Sequence, residues 1–185
     1  MLELRRQAFH ILLGVGLVVL LNFNIIDLTD LFVVFIFGVI ISIFSSRYKI
    51  PVIEWFLENF DRKNSKIRGQ GVLTCFFGAM VVLLFFEKNI ALASILILTL
   101  GDSFCHLGKL GKLKYPFSDK RFVEGLIIGI IVATLGALIF VSFLQAFFGS
   151  LIAMFVESLD LKIYNVEIDD NILIPLIAGI VMSLI

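Results

Sequence analysis

The spacing of its charges constrains this chain more than any other feature. Long stretches of Leu, Ile, Val, Phe and Ala run almost unbroken between short clusters of Lys, Arg, Asp and Glu. A helix needs roughly 20 predominantly apolar residues to cross a bilayer. Seven runs approach that length, at about 7–22, 29–46, 70–87, 89–107, 123–142, 143–160 and 171–185. The junction near residue 142 carries neither charge nor proline, but residues 123–160 are too long for one crossing and require two helices joined by a tight turn. Composition points the same way: 60% of the 185 residues are hydrophobic and twenty are Phe. Soluble domains hold about 45–50% apolar residues, and lipid-facing surface accounts for such an excess. The expectation is an all-α, polytopic membrane helix bundle of about seven transmembrane helices, forming a single domain over 1–185.

Basic residues orient it. With the N-terminus in the cytoplasm, every Lys and Arg except Lys88 falls on the inner side, the bias seen in membrane proteins. The cytoplasmic loops then lie at about 47–69, 108–122 and 161–170. The first apolar run follows Arg5 and Arg6 without a small-residue cleavage site, so it reads as a retained helix rather than a signal peptide. Within the first loop, PVIEWFLENFD, beginning at Pro51, mixes apolar and acidic residues. It reads as an interfacial amphipathic helix with Trp55 at headgroup depth, or as a loop with apolar contacts. Cys75 and Cys105 lie in apolar runs without metal-type spacing and read as small core residues.

This topology gathers the costly residues at one face. Asp102 lies thirteen residues beyond Asn89, about 20 Å along a helix, near the inner boundary. His106 follows one turn later on the same side. Arg6 and His10 share the inner end of the first span. Arg68 precedes the third span, Arg121 and Glu124 open the fifth, Glu157 closes the sixth, and Asp169, Asp170 and Asn171 open the seventh. Ionisable residues embedded in membrane segments are functional candidates, although helix ends also attract charges and caps. Carboxylates beside Lys and Arg suit a hard divalent cation bound to a polyphosphate, since Mg²⁺ takes one or two carboxylates plus phosphate oxygens. In LGKLGKLK, Gly108 and Gly111 would admit phosphate to the backbone, and Lys109 or Lys112 would neutralise it. A basic loop attracted to anionic lipid is the plainer reading. In the fifth span, Gly125, Gly129, Ala133 and Ala137 recur every four residues, which predicts close helix packing.

Four segments in order resemble the CTP-dependent lipid kinases of the dolichol kinase and phytol kinase type. ELRRQAFH (3–10) resembles their opening E-x-x-R-K-x-x-H. GDSFCHLGKLGKLK (101–114) resembles G-D-S/T-x-A-x-x-x-G-x-x-x-G-K. RFVEG (121–125) resembles K-S/T-x-E-G, and DDNILIPL (169–176) resembles D-N-x-x-x-P-L, with Glu157 matching a preceding acidic residue. The chain departs from the pattern at Arg121, Phe122 and Cys105, which stand for Lys, Ser/Thr and Ala. The resemblance implies a multi-pass kinase of the cell membrane, its active site facing the cytoplasm. Such an enzyme transfers the terminal phosphate of CTP to the hydroxyl of a lipid alcohol, of the polyprenol, shorter prenyl or diacylglycerol type. Carried over by position are Arg6, His10, Asp102, Glu124, Asp170 and Asn171.

The expected roles follow. Asp102, with Glu124 or His10 as proton acceptor, forms the catalytic group. Asp102, Asp170 and Glu157 take Mg²⁺ or another divalent cation. Arg6, Gly108, Lys109, Gly111, Lys112, Arg121 and Asn171 bind nucleotide. Partners are the lipid alcohol, the nucleotide and membrane lipids, with no nucleic acid; the sequence leaves homo-oligomer formation open. A cytidylyltransferase acting on a lipid phosphate would need the same residue types. A transporter would concentrate charges near the bilayer midplane instead.

Overall fold

The computed structural model describes residues 2–48, 50–61, 67–107, 122–159, 162–163 and 166–185. The described residues form an almost wholly helical bundle. The elements are α1 (Leu2–Asn22), α2 (Leu28–Arg47), α3 (Pro51–Phe60), α4 (Gln70–Phe85), α5 (Lys88–Leu96), a π-helical segment (Ile97–Asp102), α6 (Ser103–Leu107), α7 (Val123–Ala137), α8 (Phe143–Glu157) and α9 (Asp170–Ser183). Between α8 and α9, β1 (Lys162–Ile163) pairs antiparallel with β2 (Val166–Glu167). Three helical stretches, Glu3–Asn22, Leu28–Arg47 and Lys88–His106, are long and apolar enough to cross a membrane; α4, α7, α8 and α9 are apolar but shorter.

Local chemistry sets the helix starts. Asp27 caps α2 by accepting from the Thr29 and Asp30 amides while Asp30 reaches back to the Asp27 amide, the reciprocal arrangement of a capping box. Ser142 and Gln145 do the same for α8. The junction expected near residue 142 is therefore real, but α7 ends earlier, at Ala137, and residues 138–141 make the turn. Pro51 occupies the first turn of α3, where its missing N–H has no cost. Gly69 precedes α4 at φ +72°, a conformation that glycine adopts without steric penalty, and its amide donates to Asp61 Oδ2 at 2.8 Å.

Contacts between helix ends fix an alternating arrangement. Lys88 at the start of α5 donates to Asn24 Oδ1 and to the Asn22 carbonyl, beyond the end of α1. Gln145 at the start of α8 donates to the Met182 carbonyl at the end of α9. Ser42 near the end of α2 donates to the Arg68 carbonyl just before α4. Centrally, α5 is buried from Ala91 through Leu96, enclosed by α1, α4, α7 and α9.

The surface inverts the pattern of a water-soluble protein. In α2 the buried residues are Leu31, Ser42 and Ser45, whereas Phe37 is 62% exposed and Phe32, Ile43 and Phe44 are exposed too. In α7, Gly125, Gly129, Ala133, Thr134, Gly136 and Ala137 are buried, while Ile127, Ile128, Ile131 and Leu135 face outward. Small residues inside and large apolar ones outside is the pattern of helices packed within lipid.

The small-residue stripe of α7 packs as its spacing predicts. A Cβ on Gly129 would lie 2.9 Å from the Gly101 carbonyl oxygen and 3.2 Å from Cys105 Cβ. Gly129→Val should therefore lower stability by about 1–3 kcal/mol, the usual cost of overpacking. Gly16, where an added Cβ meets nothing within 4 Å, supplies the control. Thermal unfolding in detergent should separate the two, with Gly16→Ala near wild type.

Candidate functional site

The fourth apolar run is not one uniform α-helix. Ile97–Asp102 winds as a π-helix, and π-turns within α-helices often accompany functional sites. The Thr99 hydroxyl donates to the Ile95 carbonyl at 2.7 Å, within the stretch where backbone pairing changes register. Gly101 lies between Ala133 of α7 and Met154 of α8. Asp102 ends this segment and is only 7% exposed.

Glu157 at the last turn of α8 is 1% exposed, and Asp170 opens α9. Carboxylate oxygens of Asp102, Glu157 and Asp170 all lie within 4.8 Å of one another. Three helices thus deliver three carboxylates to one point, from positions 55 and 13 residues apart in sequence. Ligands on opposite sides of Mg²⁺ stand about 4 Å apart, twice its 2.0–2.1 Å bond. The donor set, all hard oxygen, is close to that span and fits a hard divalent cation.

Neighbouring groups meet Asp102 and the start of α9. His106 Nδ1 lies 3.1 Å from Asp102 Oδ1 and 3.0 Å from the Asp102 carbonyl oxygen. The carbonyl oxygen can only accept, so that contact calls for the proton on Nδ1. Asp169 caps α9 by accepting from the Asn171 amide. The buried Asn171 carboxamide donates to Thr74 Oγ1 at 2.9 Å and to the Gly71 carbonyl at 3.3 Å. These bonds join the start of α9 to the start of α4. The helices also touch closely at Gly78, where a Cβ would collide with the Asn171 carbonyl oxygen.

Asp102 also lines a hollow that reaches neither Glu157 nor Asp170. Arg6, His10, Asp102 and Asn171 line it together. Arg6 is paired there with Glu3 at 2.7 Å, and the same Glu3 oxygen accepts from Gln7. Part of the lining comes from α3, through Phe56, Leu57 and Phe60. Phe9 of α1 packs edge-on against Phe56 at 4.9 Å and against Phe60 at 5.1 Å. Arg5 donates to Asn59, and Arg68 pairs with Glu54 at 2.7 Å. These contacts hold α3 across the end of α1.

The candidate residues thus divide. Asp102, Glu157 and Asp170 converge as one group; Arg6, His10, Asp102 and Asn171 share the hollow; Asp102 belongs to both. Glu124 lies in the first turn of α7, in neither the hollow nor the carboxylate group. Gly108, Lys109, Gly111, Lys112 and Arg121 lie outside the described residues. Among residues not singled out by their sequence, Gln7 is buried and faces the hollow. Phe9, Phe56 and Phe60 form its aromatic wall; the four-residue spacing of Phe56 and Phe60 was the available signal. The chain matches no protein family, curated protein or solved structure.

The Asn171 bonds generate a prediction. Asn171→Ala should lower stability by about 1 kcal/mol by removing the two bonds that tie α9 to α4. Asn171→Asp should cost more, because it turns an acceptor toward the Gly71 carbonyl. Unfolding midpoints of the two variants check the order.

Proposed function

We propose that this protein is a multi-pass membrane enzyme that transfers the terminal phosphate of CTP to the hydroxyl of a lipid alcohol. The three-carboxylate convergence beside a hollow that is part charged and part aromatic carries the reading. In it, seven apolar helices cross the bilayer, and the end bearing Arg6, Asp102, Glu157 and Asp170 faces the cytoplasm. The inverted surface of α2 and α7 supports the crossing, and the near-exclusive placement of Lys and Arg on one side supports the orientation. The choice of CTP and of a kinase rests on the four motifs that resemble the dolichol and phytol kinase type.

Asp102, Glu157 and Asp170 would hold the divalent cation, and when bound that ion supplies charge neutralisation to the β- and γ-phosphates. Phosphoryl transfer otherwise asks mainly for positioning. Arg6, in the lining beside His10 and Asp102, would offer a cation to the phosphate as it passes to the alcohol. His10, which lines the hollow with Asp102, is better placed than Glu124 to take the acceptor's proton. In the balanced step, the lipid oxygen bonds to the γ-phosphorus and the bond from that phosphorus to the β–γ bridging oxygen breaks. CDP leaves, and the hydroxyl proton passes to the His10 imidazole.

CTP labelled separately at the α- and γ-phosphates tests the reading with purified protein and a panel of lipid alcohols. Label from the γ position should enter lipid, and Asp102→Asn should slow this on the order of 10²-fold or more. Label entering lipid phosphate from the α position would make the protein a cytidylyltransferase. Nucleotide-independent flux of a solute across liposomes, without labelled lipid, would make it a transporter.

A further inference from the structure

We infer that the hollow beneath α3 seats the alcohol end of the acceptor lipid, and that Phe9, Phe56 and Phe60 grip the first carbons of its chain. The inference rests on the lipid-kinase reading above and assigns the two substrates to different sides of Asp102.

The lining is divided in the way an amphiphile is divided. Arg6, His10 and Asp102 offer polar atoms, while Phe9, Phe56 and Phe60 offer hydrocarbon. A triphosphate gains nothing from the aromatic wall, whereas a hydrocarbon chain beginning at a hydroxyl uses both parts. The hollow is small, so a long hydrocarbon tail must lie outside it.

The outer face of α3 indicates where that tail goes. Val52 is 77% exposed and Trp55 is 61% exposed, on a helix whose other side packs on Phe9. Apolar side chains and Trp on the outside of a short amphipathic helix place it at a membrane–water boundary. The hollow under α3 therefore lies at the level where a lipid hydroxyl resides. The same hollow reaches Asp102, and through it the carboxylate group that would hold the nucleotide's phosphates. The reacting oxygen and the phosphorus can then approach from two sides of one residue.

Gly71 provides a clean way to test this. It lines the hollow, and a Cβ added there meets nothing within 4 Å. Gly71→Leu should fill part of the space without disturbing the fold, and a leucine also suits a helix better than glycine. The KM for the lipid alcohol should rise on the order of 10-fold or more in Gly71→Leu and in Phe56→Ala. The KM for CTP should stay at its wild-type value. In parallel, a long-chain prenyl alcohol bearing a diazirine on its first isoprene unit is photolysed with the protein in nanodiscs. Cross-links should fall on Phe9, Phe56 or Phe60 and disappear in Gly71→Leu.

The two measurements separate two failures. Cross-links in the hollow without γ-label transfer would leave the alcohol seat standing and remove the kinase. Label transfer with cross-links confined to other helices would overturn the seat while leaving the kinase. Label transfer with a raised KM for CTP alone in Gly71→Leu would assign the hollow to the nucleoside and overturn the inference as well.

Discussion

The meeting of Asp102, Glu157 and Asp170 is the constraint around which the rest of the structure is arranged. Their carboxylate oxygens lie within 4.8 Å of one another, and Asp102 and Glu157 are buried. Three separate elements hold them together. The π-helical turn ends on Asp102, the last turn of α8 brings in Glu157, and the Asp169 cap starts α9 so that Asp170 lies in its first turn. Close packing at Gly129 against Gly101 and at Gly78 against Asn171 leaves these helices little freedom to move apart. Rigid supports of this kind preorganise a charged site.

The same packing explains part of the composition. On α7 the residues facing inward are Gly, Ala and Thr, because neighbouring helices approach closely there. On α2 the Ser42 and Ser45 hydroxyls turn inward and donate to the Arg68 and Ser42 carbonyls. Large apolar residues of these two helices, Ile127, Ile131, Phe37 and Phe44 among them, face outward, while Leu and Ile fill the interior along α5. The carboxylate group sits where the end of α8 and the start of α9 meet the π-helical segment.

Much of the bundle was legible in the sequence because its long, charge-poor runs correspond to the observed helices, three of them long and apolar enough to cross a membrane. The helix-end carboxylates were legible for the same reason: a charge next to an apolar run stands out, and topology alone carries Asp102, Glu157 and Asp170 to one end. Other features left no such trace. Ile97–Asp102 reads like any apolar helix, because nothing in its local propensity marks a π-turn. The aromatic wall depends on Phe9 meeting Phe56 and Phe60 across two helices, and no periodicity within either one specifies that meeting. Glu124 shows the reverse: its position beside a helix start resembles that of Asp170, yet neither the hollow nor the carboxylate group includes it.

Binding of Mn²⁺, followed by electron paramagnetic resonance on the purified protein in nanodiscs, tests the central claim most directly. One ion per chain should bind, Mg²⁺ should compete for it, and Asp102→Asn and Glu157→Gln should each abolish it while leaving the helical content intact. Binding that both substitutions leave unchanged, or no binding with CTP either present or absent, would contradict the account.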